Sequence, residues 1–231
     1  VGALLAFACA SQVWVARSQQ PPLAGRYLPR AADAAPRPWP ERWLVIAIVP
    51  EVPSRLDADV PDLAERTEAA LRRTGGFTVA GRAVLTAPPD ARELSARAAA
   101  HRADGALLVD IHLRTVVRRT DVLRYLAATA SFGVLPFTVA EDELAYVLEL
   151  VAVQAGTGDA LASASAEREV RLPYTLWQTA EGDLFGWDLG EAIGGGRARR
   201  RALDAETADA LLADSAPRLL PRGFSQVLRA R

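Results

Sequence analysis

The run WLVIAIVP at 43–50 decides the fold class. Its side chains are apolar at both odd and even positions and rich in β-branched residues. A strand that reads this way is covered on both faces, as strands in the middle of an α/β sheet are. Downstream, LDADVPDLAERTEAALRRTGGF brings Val60, Leu63, Ala64, Thr67 and Leu71 back at helical spacing. Asp57, Asp59 and Asp62 put negative charge at the start of that helix, Pro61 suits its first turn, and Gly75-Gly76 can end it. FTVAGRAVL (77–85) predicts a second strand. DARELSARAAAHRAD predicts a second helix after Pro88-Pro89, and ALLVDIHLRTVV a third strand. The order β-α-β-α-β predicts an α/β layer, with helices on a sheet.

The rest of the chain extends that layer. EDELAYVLELVAVQ, the turn AGTGD and ALASASAEREVRL read as a β-hairpin. AETADALLADSA, preceded by Asp204 as a cap, reads as a terminal helix that Pro217 interrupts. The expected organisation is a single α/β domain over 43–231. Residues 11–42 form a Pro-rich tether, with prolines at 21, 22, 29, 36, 38 and 40, and residues 1–10 are the remnant of a signal peptide.

Composition narrows the function classes. Of 231 residues, 50% are apolar and 24% charged, enough to bury a core, and the net charge is −1. Every basic side chain is Arg, and Lys, Asn and Met are absent, the mark of a high-GC bacterial coding bias. With no basic excess, nucleic acid is not an expected partner. A single cysteine excludes an internal disulfide and a multi-thiolate metal site.

That cysteine, Cys9, sits in VGALLAFACASQ. Ala6-Phe7-Ala8 before it resembles the lipobox of bacterial lipoproteins, in which the cysteine receives diacylglycerol. Two other readings stay open: Ala8-Cys9-Ala10 as an ordinary A-x-A cleavage site, and Cys9 as a buried apolar residue. The lipid reading places the chain in the bacterial envelope, on the outer membrane facing the periplasm.

Residues 43–113 resemble the α/β domain shared by the curli-secretion lipoprotein, the TolB amino-terminal domain and lipoprotein activators of peptidoglycan synthases. The matching stretches are VIAIVPEV, EAALRRTGGFTVAGRAV and HRADGALLVDIHL. Where those families often place a Gly-Ser pair after the third strand, this chain continues into Asp110-Ile111-His112. The resemblance implies a tethered, non-catalytic accessory that binds an envelope partner. Since the curli-secretion relative forms a pore, it also admits a homo-oligomer or secretion-pore component.

Two clusters carry the alternatives. Asp110, His112 and Arg114 lie at i, i+2 and i+4, opposite Leu107, Val109, Ile111 and Leu113. An Asp beside a His can orient an imidazole or begin a metal site, which would make the chain a hydrolase or metal-dependent enzyme; the competing reading is the solvated face of an amphipathic strand. Gly194 to Gly196 precede Arg197, Arg199, Arg200 and Arg201, a candidate contact for phosphate or lipid headgroups or else a solvated charge cluster. His101 falls at helical spacing from Leu94 and Ala98 on the second helix and reads as a partly buried packing residue rather than a ligand. The uncharged stretch YLAATASFGVLPFTVA (125–140) reads as a buried connection, an interfacial segment or an apolar patch for a partner. No G-x-S-x-G, H-E-x-x-H or P-loop signature occurs. No cofactor and no catalytic residue are expected.

Overall fold

The computed structural model describes residues 11–27, 39–51, 54, 56–75, 77–131, 138–175 and 196–220, with the side chains of 196 and 197 left aside. Strand β1 spans Ser11–Arg17, followed by a 3-10 turn at Leu23–Arg26. Then come β2 (Arg42–Ile48), α1 (Leu63–Thr74), β3 (Thr78–Leu85), α2 (Ala91–Ala100) and β4 (Gly105–Asp121). Helix α3 (Val122–Ala130), the hairpin β5 (Thr138–Gln154) and β6 (Ala160–Thr175), and α4 (Gly196–Ser215) complete the fold, with a last 3-10 turn at Ala216–Leu219.

All six strands join one sheet in the order β3-β2-β4-β5-β6, and β1 pairs with β4 as well. The long β4 has two halves. Over 105–110 it runs parallel to β2, and over 115–121 the same side of it takes β1 antiparallel. Its other side holds β5 along nearly its whole length. β2 is buried on both faces, as its composition predicts. Trp43, Val45 and Ala47 join one core under α1, α4 and the terminal turn; Leu44, Ile46 and Ile48 join a second with Leu94 of α2 and with Leu23 and Tyr27. An aromatic group of Trp39, Trp43 and Phe77, with ring centroids 5.0–6.2 Å apart, closes one end of the first core.

Local signals end these elements where expected. Gly75 closes α1 at φ 73°, a left-handed position that favours glycine. The Asp90 carboxylate caps α2 by accepting from the Glu93 amide at 2.8 Å. The β5–β6 reversal passes through Gly158 at φ 74°.

Three expectations need correction. Residues 11–17, read as part of a tether, form a strand, and Leu23 and Tyr27 are buried beneath α2's side of the sheet. Helix α4 starts at Gly196, eight residues before Asp204. Asp204 is therefore no cap: it sits inside the helix and is 1% exposed. Cys9 and the prolines at 29, 36 and 38 lie outside the described residues.

Candidate functional site

Strand β4 places Asp110 opposite Glu149 of β5, and His112 opposite Val147. Both residues of the Asp-His pair are buried, so the solvated-face reading fails for them. What covers them is the chain that follows β1. The Gln20 side-chain amide donates to Asp110 Oδ2 at 2.9 Å, and the Leu23 amide donates to Glu149 Oε2 at 2.6 Å. The Ser18 amide donates to the Arg114 carbonyl at 2.9 Å. On the flank of β4, Asp57 bridges to His112 and the Leu113 amide donates to the Leu56 carbonyl at 2.7 Å.

Within this cluster His112 Nδ1 lies 3.2 Å from Asp110 Oδ2. Burial pushes the His112 pKa down. The hydrogen bond to Asp110 and the charges of Asp110, Glu149 and Asp57 outweigh it, so the imidazole holds its proton more tightly than a free histidine. Arg114 does not join the pair. The register of β4 slips between Leu113 and Thr115, and Arg114 at that bulge donates to Glu167 Oε1 of β6 at 2.7 Å. Among the described residues no three His, Cys, Asp or Glu side chains are placed to hold a metal ion. The arrangement does one thing well: it clasps the N-terminal arm onto the sheet through the buried Asp110 and the half-buried Glu149.

The arginine cluster is likewise taken up by the fold. Arg200 Nε donates to Asp204 Oδ1 at 2.8 Å, Arg201 lies 3.3 Å from Asp59, and Arg199 donates to the Pro173 carbonyl at 3.0 Å. Arg199, Arg200 and Arg201 are helix side chains with protein partners; Gly194, Gly195 and the Arg197 side chain are outside the described residues. Asp204 also accepts a short hydrogen bond from the Tyr146 hydroxyl and one from the Asp59 amide at 3.0 Å.

A second buried carboxylate, Asp142, neighbours this group. It accepts both Nε (2.8 Å) and Nη2 (2.9 Å) of Arg118 and the Tyr174 hydroxyl at 3.1 Å. Arg118 also stands 5.7 Å from the Tyr174 ring centroid. Burial, then the Asp142 charge, pushes the Tyr174 pKa up to about 12; burial and Asp204 raise Tyr146 still further. Motif reading missed this network. One signal pointed to it: Asp142 interrupts an alternating apolar face made by Ala140, Leu144, Tyr146 and Leu148.

The remaining surface is of two kinds. A shallow groove of about 490 Å³ crosses β4, β5 and β6, and Arg114, Glu143 and Arg171 on its walls are already in ion pairs. Apolar side chains stand exposed on β1 and α3 instead, at Val13, Trp14, Val15, Leu123 and Leu126. The uncharged stretch is thus buried only in part, at Ala128, Val139 and Ala140, while residues 132–137 are outside the description. No helix among the described residues is long and apolar enough to cross a membrane.

No family model matches the chain, and no curated protein matches it. Solved structures similar to it include the PelC dodecamer of Paraburkholderia phytofirmans, 14% identical, covering 92% of this chain and 99% of that one with a TM-score of 0.38. A lipoprotein of Neisseria meningitidis is 13% identical, covering 71% of this chain and 99% of its own, with a TM-score of 0.27. A Chlamydia trachomatis protein is 9% identical, with coverage of 75% and 99% and a TM-score of 0.26. These likenesses assign the chain to no family.

Proposed function

We propose that the chain is an envelope lipoprotein, anchored through Cys9 on the periplasmic side of the outer membrane, that binds a partner or supports an assembly and performs no chemistry of its own. The observation that carries this reading is the use to which the Asp110–His112 pair is put. Its polar atoms hold Gln20, a residue eleven positions after Cys9, and Glu149 beside it holds Leu23. The groups best suited to catalysis therefore fasten the anchor-proximal arm to the sheet.

The anchor is tested by feeding radiolabelled palmitate to a bacterial host. Label enters the unmutated protein and is lost in Cys9→Ala; absence of label from the unmutated protein removes the anchor. The enzyme alternative is tested on full-length Cys9→Ala, since residues 11–27 belong to the fold. A metal bound stoichiometrically, or hydrolase activity, that disappears in His112→Ala would overturn the non-catalytic reading.

A further inference from the structure

Cys9 stands two residues before Ser11, the first residue of β1. Two residues of extended chain span about 7 Å at most, so a lipid on that sulfur brings the start of β1 to the bilayer surface with no spacer between them. Ser11 pairs with Asp121, and α3 begins at the next residue, Val122. The described residues include seven exposed large apolar side chains, and five of them belong to these two elements: Val13 (54%), Trp14 (41%), Val15 (47%), Leu123 (50%) and Leu126 (55%). Leu123 and Leu126 are three apart and share a helix face.

From this convergence we infer that the β1–α3 end of the sheet lies on the lipid surface, its apolar side chains entering the boundary between headgroups and acyl chains. The inference rests on the lipid reading of Cys9. Charge does not drive the contact. Arg119 is paired with Glu143 and Arg124 with Asp121. Neutral phosphatidylcholine is sufficient, and the attachment is insensitive to salt. The arm's clasp on Asp110 and Glu149 makes the contact rigid: the domain is held in one orientation and does not swing on a leash.

Cys9 is the only cysteine, which allows a test independent of natural acylation. The full chain is coupled through Cys9 to a maleimide-headgroup lipid in phosphatidylcholine vesicles. Amide hydrogen exchange is then compared with that of thiol-capped protein in solution. Tethering slows exchange across α3 by about tenfold and leaves β3 unchanged. The pair Leu123→Ser and Leu126→Ser restores fast exchange in α3 while the protein stays coupled. Equal exchange in α3 and β1 with and without vesicles overturns the inference. So does slowing that appears in solution as protein concentration rises, which assigns this face to a second copy of the chain. Palmitate labelling with no slowing on vesicles keeps the anchor and removes the orientation; slowing without labelling removes the natural anchor alone.

Discussion

His112 Nδ1 lies 3.2 Å from Asp110 Oδ2, the same oxygen that accepts from Gln20 ninety residues earlier in the chain. One carboxylate oxygen thus joins a central strand to the N-terminal arm. Because the His112 pKa is raised on folding, the protonated imidazole stabilises the native state fully below its unfolded value of about 6.5. That contribution is lost as pH rises through the folded value. The melting-temperature gap between the unmutated protein and His112→Gln is expected to be constant below about pH 6 and to shrink on the alkaline side. A gap independent of pH would show that folding leaves the His112 pKa unshifted, and a gap that grows on the alkaline side would show that the imidazole is kept neutral in the fold.

The arm itself is expected to be part of the cooperative unit. Leu23 is 2% exposed and packs in the second core with Leu44, Leu108 and Val151. Leu23→Ala should cost about 2–4 kcal/mol in urea unfolding, as other buried leucines do when truncated. A change below about 0.5 kcal/mol, the scale of surface substitutions, would mean that the arm is undocked in solution.

The two aspartates contacted by the α4 arginines should differ sharply. Asp204 is 1% exposed and serves Tyr146, Arg200 and the Asp59 amide at once. Asp204→Ala strands a part-buried guanidinium and is expected to cost about 3–5 kcal/mol. Arg201 and Asp59 are both more than half exposed, so Arg201→Ala should cost less than about 0.5 kcal/mol. Chemical denaturation of both variants checks the contrast, and equal losses would refute it.

Two glycines offer a matched pair. A Cβ on Gly105 would come within 2.8 Å of Pro40 and 2.9 Å of Trp43, which is fully buried. On Gly81 it would come within 2.3 Å of the His101 ring, but that side chain is exposed and free to turn away. Gly105→Ala is expected to destabilise by about 1–3 kcal/mol through overpacking, with Gly81→Ala well below it. Thermal melts that rank them in the reverse order would contradict the packing at Trp43.

The β-α-β-α-β layer and the hairpin were legible because each rests on local signals. The two-faced apolar run of β2, the 3.6-residue spacing of α1, and the Gly-rich reversal before β6 need no distant partner to be recognised. Strand β1 was not legible. Its seven residues gain strand character only by pairing with Thr115 to Asp121, about a hundred residues away, and the prolines that follow suggested a tether. The same distance hid the clasp: nothing near Gln20 or Leu23 announces that Asp110 and Glu149 will accept their hydrogen bonds. In α4, Asp204 before AETADALLADSA suggested a cap, while packing against β5 and β6 extends the helix back to Gly196 and draws Asp204 inside.

The pairing of β1 with the far half of β4 also sets an order of events during synthesis. The arm is made before its partners: the strand it pairs with is complete only at Asp121 and the Leu23 acceptor only at Glu149. Contacts separated by so much chain form late. Strand β1 therefore cannot dock before β4 and most of β5 have been made, and its apolar residues stay exposed until then.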